Sequence, residues 1–450
     1  MSKFSVSRRS LLLVSLFVVV LFFSLFVCLF VNDSSGASLT GVVHVKNEAE
    51  LKEAINNAPT NKATTIALDN DITLTTTTDD HTSNYYPVSI IIPENKDITL
   101  TSSKTTKHYK LNGAINGTIL HIAPYGTLRI DSVAVTHTSN TGGGGISVDT
   151  FAEFYLYSGS ITNNKVYGGH GVTNYGLFVM SGGTISDNTA ENGGGIWNSG
   201  TFTMSDGTIS DNTAIGGNGG GVYNFRGTFT MSGGTISDNT ADYGGGVYTI
   251  HDNFTMSGGV ISGNKATKGY GGGVYNGATF IMSNGKITSN TAAELGGGVY
   301  NSVIFTMYDG TISGNKAKNG GGVYNSPYPA NPVFDRYGGV ISGNTATNGD
   351  SDVFYGNNNG AGSNNGNGGS SNGNNNNGDG DGVIGGNNGQ IVGGFSLQNV
   401  LVVCVIIIVV LVIVIVVLLF TSKKDIVIVE KNLNQLGCFL KIFEMLKLKN

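Results

Sequence analysis

Cysteine is nearly missing from this sequence: Cys28, Cys404 and Cys438 are the whole complement, and the long stretch between the first two holds none. That stretch folds without an internal disulfide, whatever redox compartment it meets. Proline is scarce as well, 7 residues against 69 glycines, and the glycines keep no G-X-Y triplet, which excludes a collagen-like helix. Glycine at about twice its usual share, mixed with recurrent Val, Ile, Phe and Thr, points instead to short strands joined by tight turns. Charge is sparse too, and between residues 38 and 399 it amounts to 16 Lys+Arg against 26 Asp+Glu, or −10. With no basic stripe to neutralise phosphates, nucleic acid is excluded as a partner. The 7 His are scattered without metal-ligand spacing, and no cofactor is expected.

Two apolar runs bracket the chain. Residues 11–31 follow Lys3, Arg8 and Arg9, the pattern of a secretory signal, and Ser35-Gly36-Ala37 offers small residues for cleavage after Ala37. The run is long enough to serve as an uncleaved signal anchor instead, so residues 1–37 carry both readings. Val27 sits where a lipobox needs a small residue, which argues against lipidation at Cys28. Residues 400–420 are uniformly apolar and, as a helix, match the roughly 30 Å of a bilayer core. Lys423 and Lys424 follow at once, which places the C-terminal side in the cytoplasm. The expected protein is integral to the cell membrane, single-pass after signal cleavage, with about 38–399 outside. In the tail, 421–450, Leu440, Phe443 and Leu446 alternate with Lys441, Lys447 and Lys449, as suits a segment along the inner leaflet.

The middle stretch is a repeat, and the repeat dominates the reading. GGG followed by Val or Ile opens at Gly193, Gly219, Gly244, Gly271, Gly296 and Gly320, at intervals of 26, 25, 27, 25 and 24 residues. Degenerate copies precede these at Gly143 and Gly169. Within each unit a Phe and a Met stand two apart: Phe178/Met180, Phe202/Met204, Phe229/Met231, Phe254/Met256, Phe280/Met282 and Phe305/Met307. A spacing of two puts both side chains on one face of a strand. Ile follows each Met by five, at Ile185, Ile209, Ile236, Ile261, Ile287 and Ile312. Such short strands cannot bury a face alone, but stacked at roughly 4.8 Å per coil they line one continuous core. Asn reports the same period, recurring at Asn164, Asn188, Asn212, Asn239, Asn264, Asn290, Asn315 and Asn344. Identical amides stacked coil over coil can hydrogen-bond along the axis, so these residues read as a structural ladder.

The phrases GGGVYN, TFTMSGGTIS and SGNTA resemble the repeats of bacterial and archaeal adhesin-like surface proteins built on a right-handed, pectate-lyase-like parallel β-helix. The resemblance covers residues 143–355 closely and 40–142 loosely. It is also similar to the GGA[IV] and FxxN repeats of polymorphic outer-membrane proteins, although no C-terminal segment reads as an outer-membrane barrel. The implied fold is all-β, a right-handed parallel β-helix solenoid with an N-terminal helical cap. Residues 47–58 read as that helix, with Asn47 as N-cap, Glu50 at N3, and Leu51, Ala54, Ile55 and Ala58 on one face. Strands are expected at 65–68, 72–75, 88–92, 98–101, 119–122 and 128–130. In the last unit the Met position becomes Arg336, beside Pro327, Pro329 and Pro332, and a charge there marks the end of the core. The expected layout is signal or anchor at 1–37, cap and irregular coils at 38–142, and about twelve coils in all, the regular ones at 143–355. A Gly/Asn-rich linker at 356–394, whose composition cannot form a core, leads to the transmembrane helix at 400–420 and the tail at 421–450.

Three patterns are candidate chemistry. The aromatic after GGG[VI] recurs as Trp197, Tyr223, Tyr248, Tyr275, Tyr300 and Tyr324. If Val points inward these rings form an outward row suited to sugars; alternatively they stabilise the sheet by stacking on each other. Asp187, Asp211 and Asp238 share one repeat position and could hold Ca²⁺, yet the same position carries Gly263, Ser289, Gly314 and Gly343, as a turn would. No GGxGxD calcium array is present. Polysaccharide lyases and hydrolases use the same fold and need Asp, Lys or Arg clusters that break the repeat. Here Arg occurs in the regular repeats only at Arg226 and Arg336. The expectation is a binder of carbohydrate or partner surface proteins, with a carbohydrate-active enzyme or a structural spacer as alternatives.

Overall fold

A computed structural model of the chain describes residues 41–77, 87–138, 141–165, 170–328 and 332–356. The expected signal or anchor, linker, transmembrane helix and tail lie outside the described residues, as do Gly169 and Pro329. Among the described residues no helix is long and apolar enough to cross a membrane.

The described chain winds as a parallel β-solenoid of about eleven turns. One coil shows how the repeat is spent. Val222–Phe225 lies in a second sheet, Thr228–Met231 and Thr235–Ser237 in the first, and Thr240–Ala241 in a third. Gly244 then opens the next coil. Every coil pairs in parallel with its neighbours, and like residues meet: Phe229 with Phe254 and Met231 with Met256, Val222 with Val247 and Tyr223 with Tyr248, Ile236 with Ile261. The second sheet has eleven strands, one fewer than the coils expected, because the first pass from Val43–Val45 to Ala63–Leu68 runs through a helix.

The core is the inward face of these coils. Phe, Met and Ile of the repeat are fully buried, and so are the Val or Ile residues of the GGG[VI] motif. The Phe rings form an unbroken stack from Phe154 to Phe334, with centroids 4.7–4.8 Å apart and planes tilted by 4–19°. Phe154 and Leu156 begin this series one coil before the repeat becomes obvious in the sequence.

GGG is fixed for two separate reasons. Gly219 sits at φ +66°, in the left-handed region that only glycine enters freely. Gly220 and Gly221 instead lie against the next coil: a Cβ would come 2.5 Å from the Gly245 carbonyl oxygen and 2.7 Å from that of Gly246. In this coil a side chain at either would collide with the coil that follows.

The helix forms as Glu48–Asn57 (α1), with Asn47 extended as N-cap and its Oδ1 accepting the Glu50 amide at 3.0 Å. Glu50 Oε2 accepts in return from the Lys46 amide at 2.8 Å, a reciprocal cap that satisfies two otherwise free donors. Leu51 and Ile55 join the core, with Ala54 packed against it. The expected early strands all form, Val88–Ile92 with the expected bounds and most of the others slightly longer. Val43–Val45, Tyr109–Gly113 and Val133–His137 were not anticipated. Val133–His137 is buried at all five positions, so it carries no alternation to read. At the far end Arg336 pairs with Met307, turns outward, and donates to the Gly338 and Gly339 carbonyls at 3.2 and 2.7 Å. Phe334, the last ring of the stack, covers Phe305 and is itself only partly buried.

Candidate functional site

The second sheet displays the aromatic row. Val points inward at each coil, so the following aromatic points outward, as the strand period requires. Trp197, Tyr223, Tyr248 and Tyr275 are half-buried, while Tyr300 and Tyr324 are buried. Phe354 continues the row, 5.2 Å from Tyr324. From Tyr248 onward the rings lie face to face: 4.3 Å and 11° to Tyr275, then 4.9 Å and 25° to Tyr300, then 5.6 Å and 5° to Tyr324. Their faces are occupied by one another, and only edges and hydroxyls remain for a partner. The order changes at the other end. Trp197 meets Tyr223 edge-on at 67°, and Tyr223 meets Tyr248 at 38°.

Burial sets the phenol chemistry. It raises the Tyr223, Tyr275 and Tyr324 hydroxyls above their usual range, pushes Tyr300 up to about 12, and raises Tyr248 further still, with its phenol neighbours adding to the effect. The row is therefore neutral and hydrogen-bonding across the biological pH range. Tyr300 Oη donates to Ser326 Oγ at 3.0 Å.

The Asn ladder runs through the interior rather than over the surface. Asn164 to Asn315 are completely buried and Asn344 nearly so. Each Nδ2 donates to the next Oδ1, from Asn164 to Asn188 at 2.8 Å and on through Asn212, Asn239, Asn264, Asn290 and Asn315 to Asn344. Each Oδ1 also accepts the backbone amide of the preceding Asn, which settles the orientation of every amide. Within the amide-to-amide chain donation thus runs toward the C-terminal coils. From Asn188 onward the second hydrogen of each Nδ2 goes back to an Ile carbonyl of the preceding coil, as from Asn212 to Ile185 at 2.9 Å. At one end His137 Nδ1 lies 2.9 Å from Asn164 Oδ1; at the other the Asp352 carboxylate accepts from Asn344 Nδ2 at 2.9 Å.

A second amide row escaped the sequence reading. Asn174, Asn198, Asn224, Asn276 and Asn301 are also fully buried, with Thr249 in the same file. They bond coil to coil, for example Asn174 to Asn198 at 2.7 Å and Asn276 to Asn301 at 2.7 Å. The signal was present: this Asn stands two residues after the inward Val, so the same period turns it inward.

Asp187, Asp211 and Asp238 adopt φ of 58°, 57° and 58°, and Ser289, Gly263, Gly314 and Gly343 at the same repeat position adopt 58°, 67°, 66° and 68°. This is a left-handed turn position, which accounts for Asp, Ser and Gly sharing it. Among the described residues no three His, Cys, Asp or Glu side chains gather as metal ligands would.

The joint between the second and first sheets also went unread. It holds Phe225, Arg226 and Gly227 in one coil and Ile250, His251 and Asp252 in the next, each one residue longer than the Ser199-Gly200 or Gly277-Ala278 joints beside them. Phe225 lies 5.9 Å from Trp197, 5.7 Å from Tyr223 and 5.4 Å from His251. Compared with known proteins, no family model, no curated protein and no solved structure matches this chain.

Proposed function

We propose that this chain is a membrane-anchored, adhesin-like surface protein that uses its solenoid to bind carbohydrate or a partner surface. The observation that carries the reading is the outward aromatic row of the second sheet, Trp197 to Tyr324, which sets neutral hydroxyls and ring edges along one side of a rigid stack. The coil is right-handed in this reading, because parallel strand crossovers almost always are, and its likeness to the pectate-lyase type follows from the repeat phrases. Helix α1 caps the first coil, residues 356–394 serve as a linker, and residues 400–420 hold the protein in the membrane with 421–450 inside. The self-stacking of Tyr248, Tyr275, Tyr300 and Tyr324 favours a second reading, a structural spacer whose rings only stiffen the sheet.

Cells displaying the full chain separate these readings. They should retain glycans or surface components from an array, and lose retention both when Tyr223, Tyr248 and Tyr275 become Ala and when protease is added outside. Retention unchanged by the triple substitution would exclude the row as the binding face. No retention from any array would leave the spacer, and release of sugar fragments from a polysaccharide would instead make the protein an enzyme.

A further inference from the structure

The regular coils leave one place where the repeat is broken on successive turns, the lengthened joints at Phe225-Arg226-Gly227 and Ile250-His251-Asp252. Arg226 and His251 sit there at φ +59° and +76°, a region in which side chains larger than Asn are strained by about 1–2 kcal/mol. Of the rings around them one pair is stacked, Phe225 on Tyr223 at 5.7 Å and 11°, while the contacts with Trp197 and His251 are edge-on. Phe225 is central, edge-on to Trp197 at 60° and to His251 at 76°, with the Arg226 guanidinium 5.2 Å from its own ring centroid. Arg226 is exposed and forms no ion pair among the described residues, in a segment that carries −10 between residues 38 and 399. An exposed guanidinium held against an aromatic ring presents a donor fork that matches a planar carboxylate.

We propose that Trp197, Tyr223, Phe225, Arg226 and His251 form a binding site for a glycan that ends in a single carboxylated sugar. The carboxylate takes the Arg226 fork, His251 offers a ring N–H to a neighbouring hydroxyl, and the sugar's apolar face lies on the ring edges and faces left open by the edge-on packing. The charge balance limits the ligand to one anion. Arg226 is a lone cation, and the exposed Asp252 carboxylate beside His251 repels a chain of repeated acids. This inference rests on the reading of the aromatic row as a carbohydrate-binding face.

Trp197 is the single tryptophan of the chain and lies inside the site, so its fluorescence reports occupancy directly. The full chain in detergent micelles is titrated with sialyllactose, with lactose and with polygalacturonate, by fluorescence and calorimetry together. Sialyllactose should shift the Trp197 emission and bind about tenfold or more tighter than lactose, the size of effect a charge-assisted pair supplies, and polygalacturonate should bind no better than lactose. Arg226→Asn, which suits the left-handed backbone, should bring sialyllactose down to the lactose level, while Arg336→Gln on the last coil should change nothing. Equal binding of sialyllactose and lactose, or sialyllactose binding unaltered in Arg226→Asn, overturns the site and leaves carbohydrate binding elsewhere on the row intact. Tighter binding of polygalacturonate overturns the single-anion assignment. Heat signals from no glycan, together with an empty array, overturn both this site and the function it rests on.

Discussion

His170 replaces a glycine of the repeat, and its imidazole is buried with Nδ1 donating to the Gly193 carbonyl at 3.0 Å and the ring 5.2 Å from Trp197. Burial pushes it down from 6.5 to about 4. Burial also lowers His137, against the opposing pull of its Asn164 and Gly117 hydrogen bonds. A histidine whose folded value is depressed binds fewer protons when folded than when unfolded, so its contribution is present above the unfolded value and is lost as pH falls toward the folded one. The protein should therefore lose stability as pH falls from about 6.5 toward 4, by on the order of 3 kcal/mol from His170 alone. Melting temperatures across that range test this, and His170→Asn should flatten the profile. A melting temperature that is level or rises on acidification would show that these imidazoles are not buried neutral.

The coil faces carry two kinds of ladder that should respond differently to truncation. Phe254 stacks between Phe229 and Phe280 at 4.7 Å on both sides, so Phe254→Ala opens a cavity and should cost about 3–5 kcal/mol. Asn239 accepts from the Asn212 amide and Nδ2, both at 3.0 Å, and donates to the Ile209 carbonyl and to Asn264 Oδ1, both at 2.9 Å. Asn239→Ala leaves several of these buried groups without partners at about 1–3 kcal/mol each, so a small polar residue should matter as much as the large ring. Tyr248→Ala, on the half-buried outward row, should cost clearly less than either. Urea unfolding of the three variants checks the ranking, and a mild effect at Asn239 alongside a severe one at Tyr248 would invert this account of what holds the coils.

In the solenoid as a whole each coil touches only its neighbours, so stability is close to a sum of coil terms and contacts between adjacent coils. The last coil has a neighbour on one side among the described residues, and its Val333, Val340 and Tyr355 are 40%, 51% and 54% exposed. Amide hydrogen exchange should therefore show strong, uniform protection across coils 178–326 and early exchange at Val333–Arg336 and Val353–Tyr355. Uniform protection through the last strand would mean that something outside the described residues covers that end.

Much of the fold was legible from the sequence. In a parallel stack each residue lies over its own equivalent, so a period of 24–27 residues reports both the coil length and the inward positions: Phe, Met, Ile and the Asn of the first ladder. The N-cap at Asn47 was legible because capping is a local bond between residues three apart. What only the tertiary structure decided lies where a position depends on the coil above or below. GGG could be read as flexible, yet two of its glycines are there because a neighbouring carbonyl leaves no room for a Cβ. The aromatic row could be read as a row of open faces, but from Tyr248 to Tyr324 stacking coil on coil sets the rings nearly parallel, with centroids 4.3–5.6 Å apart, and the faces close on each other. Phe225, Arg226 and His251 stand in sequence as insertions in two separate repeats; stacking one coil on the next is what brings them together beside Trp197.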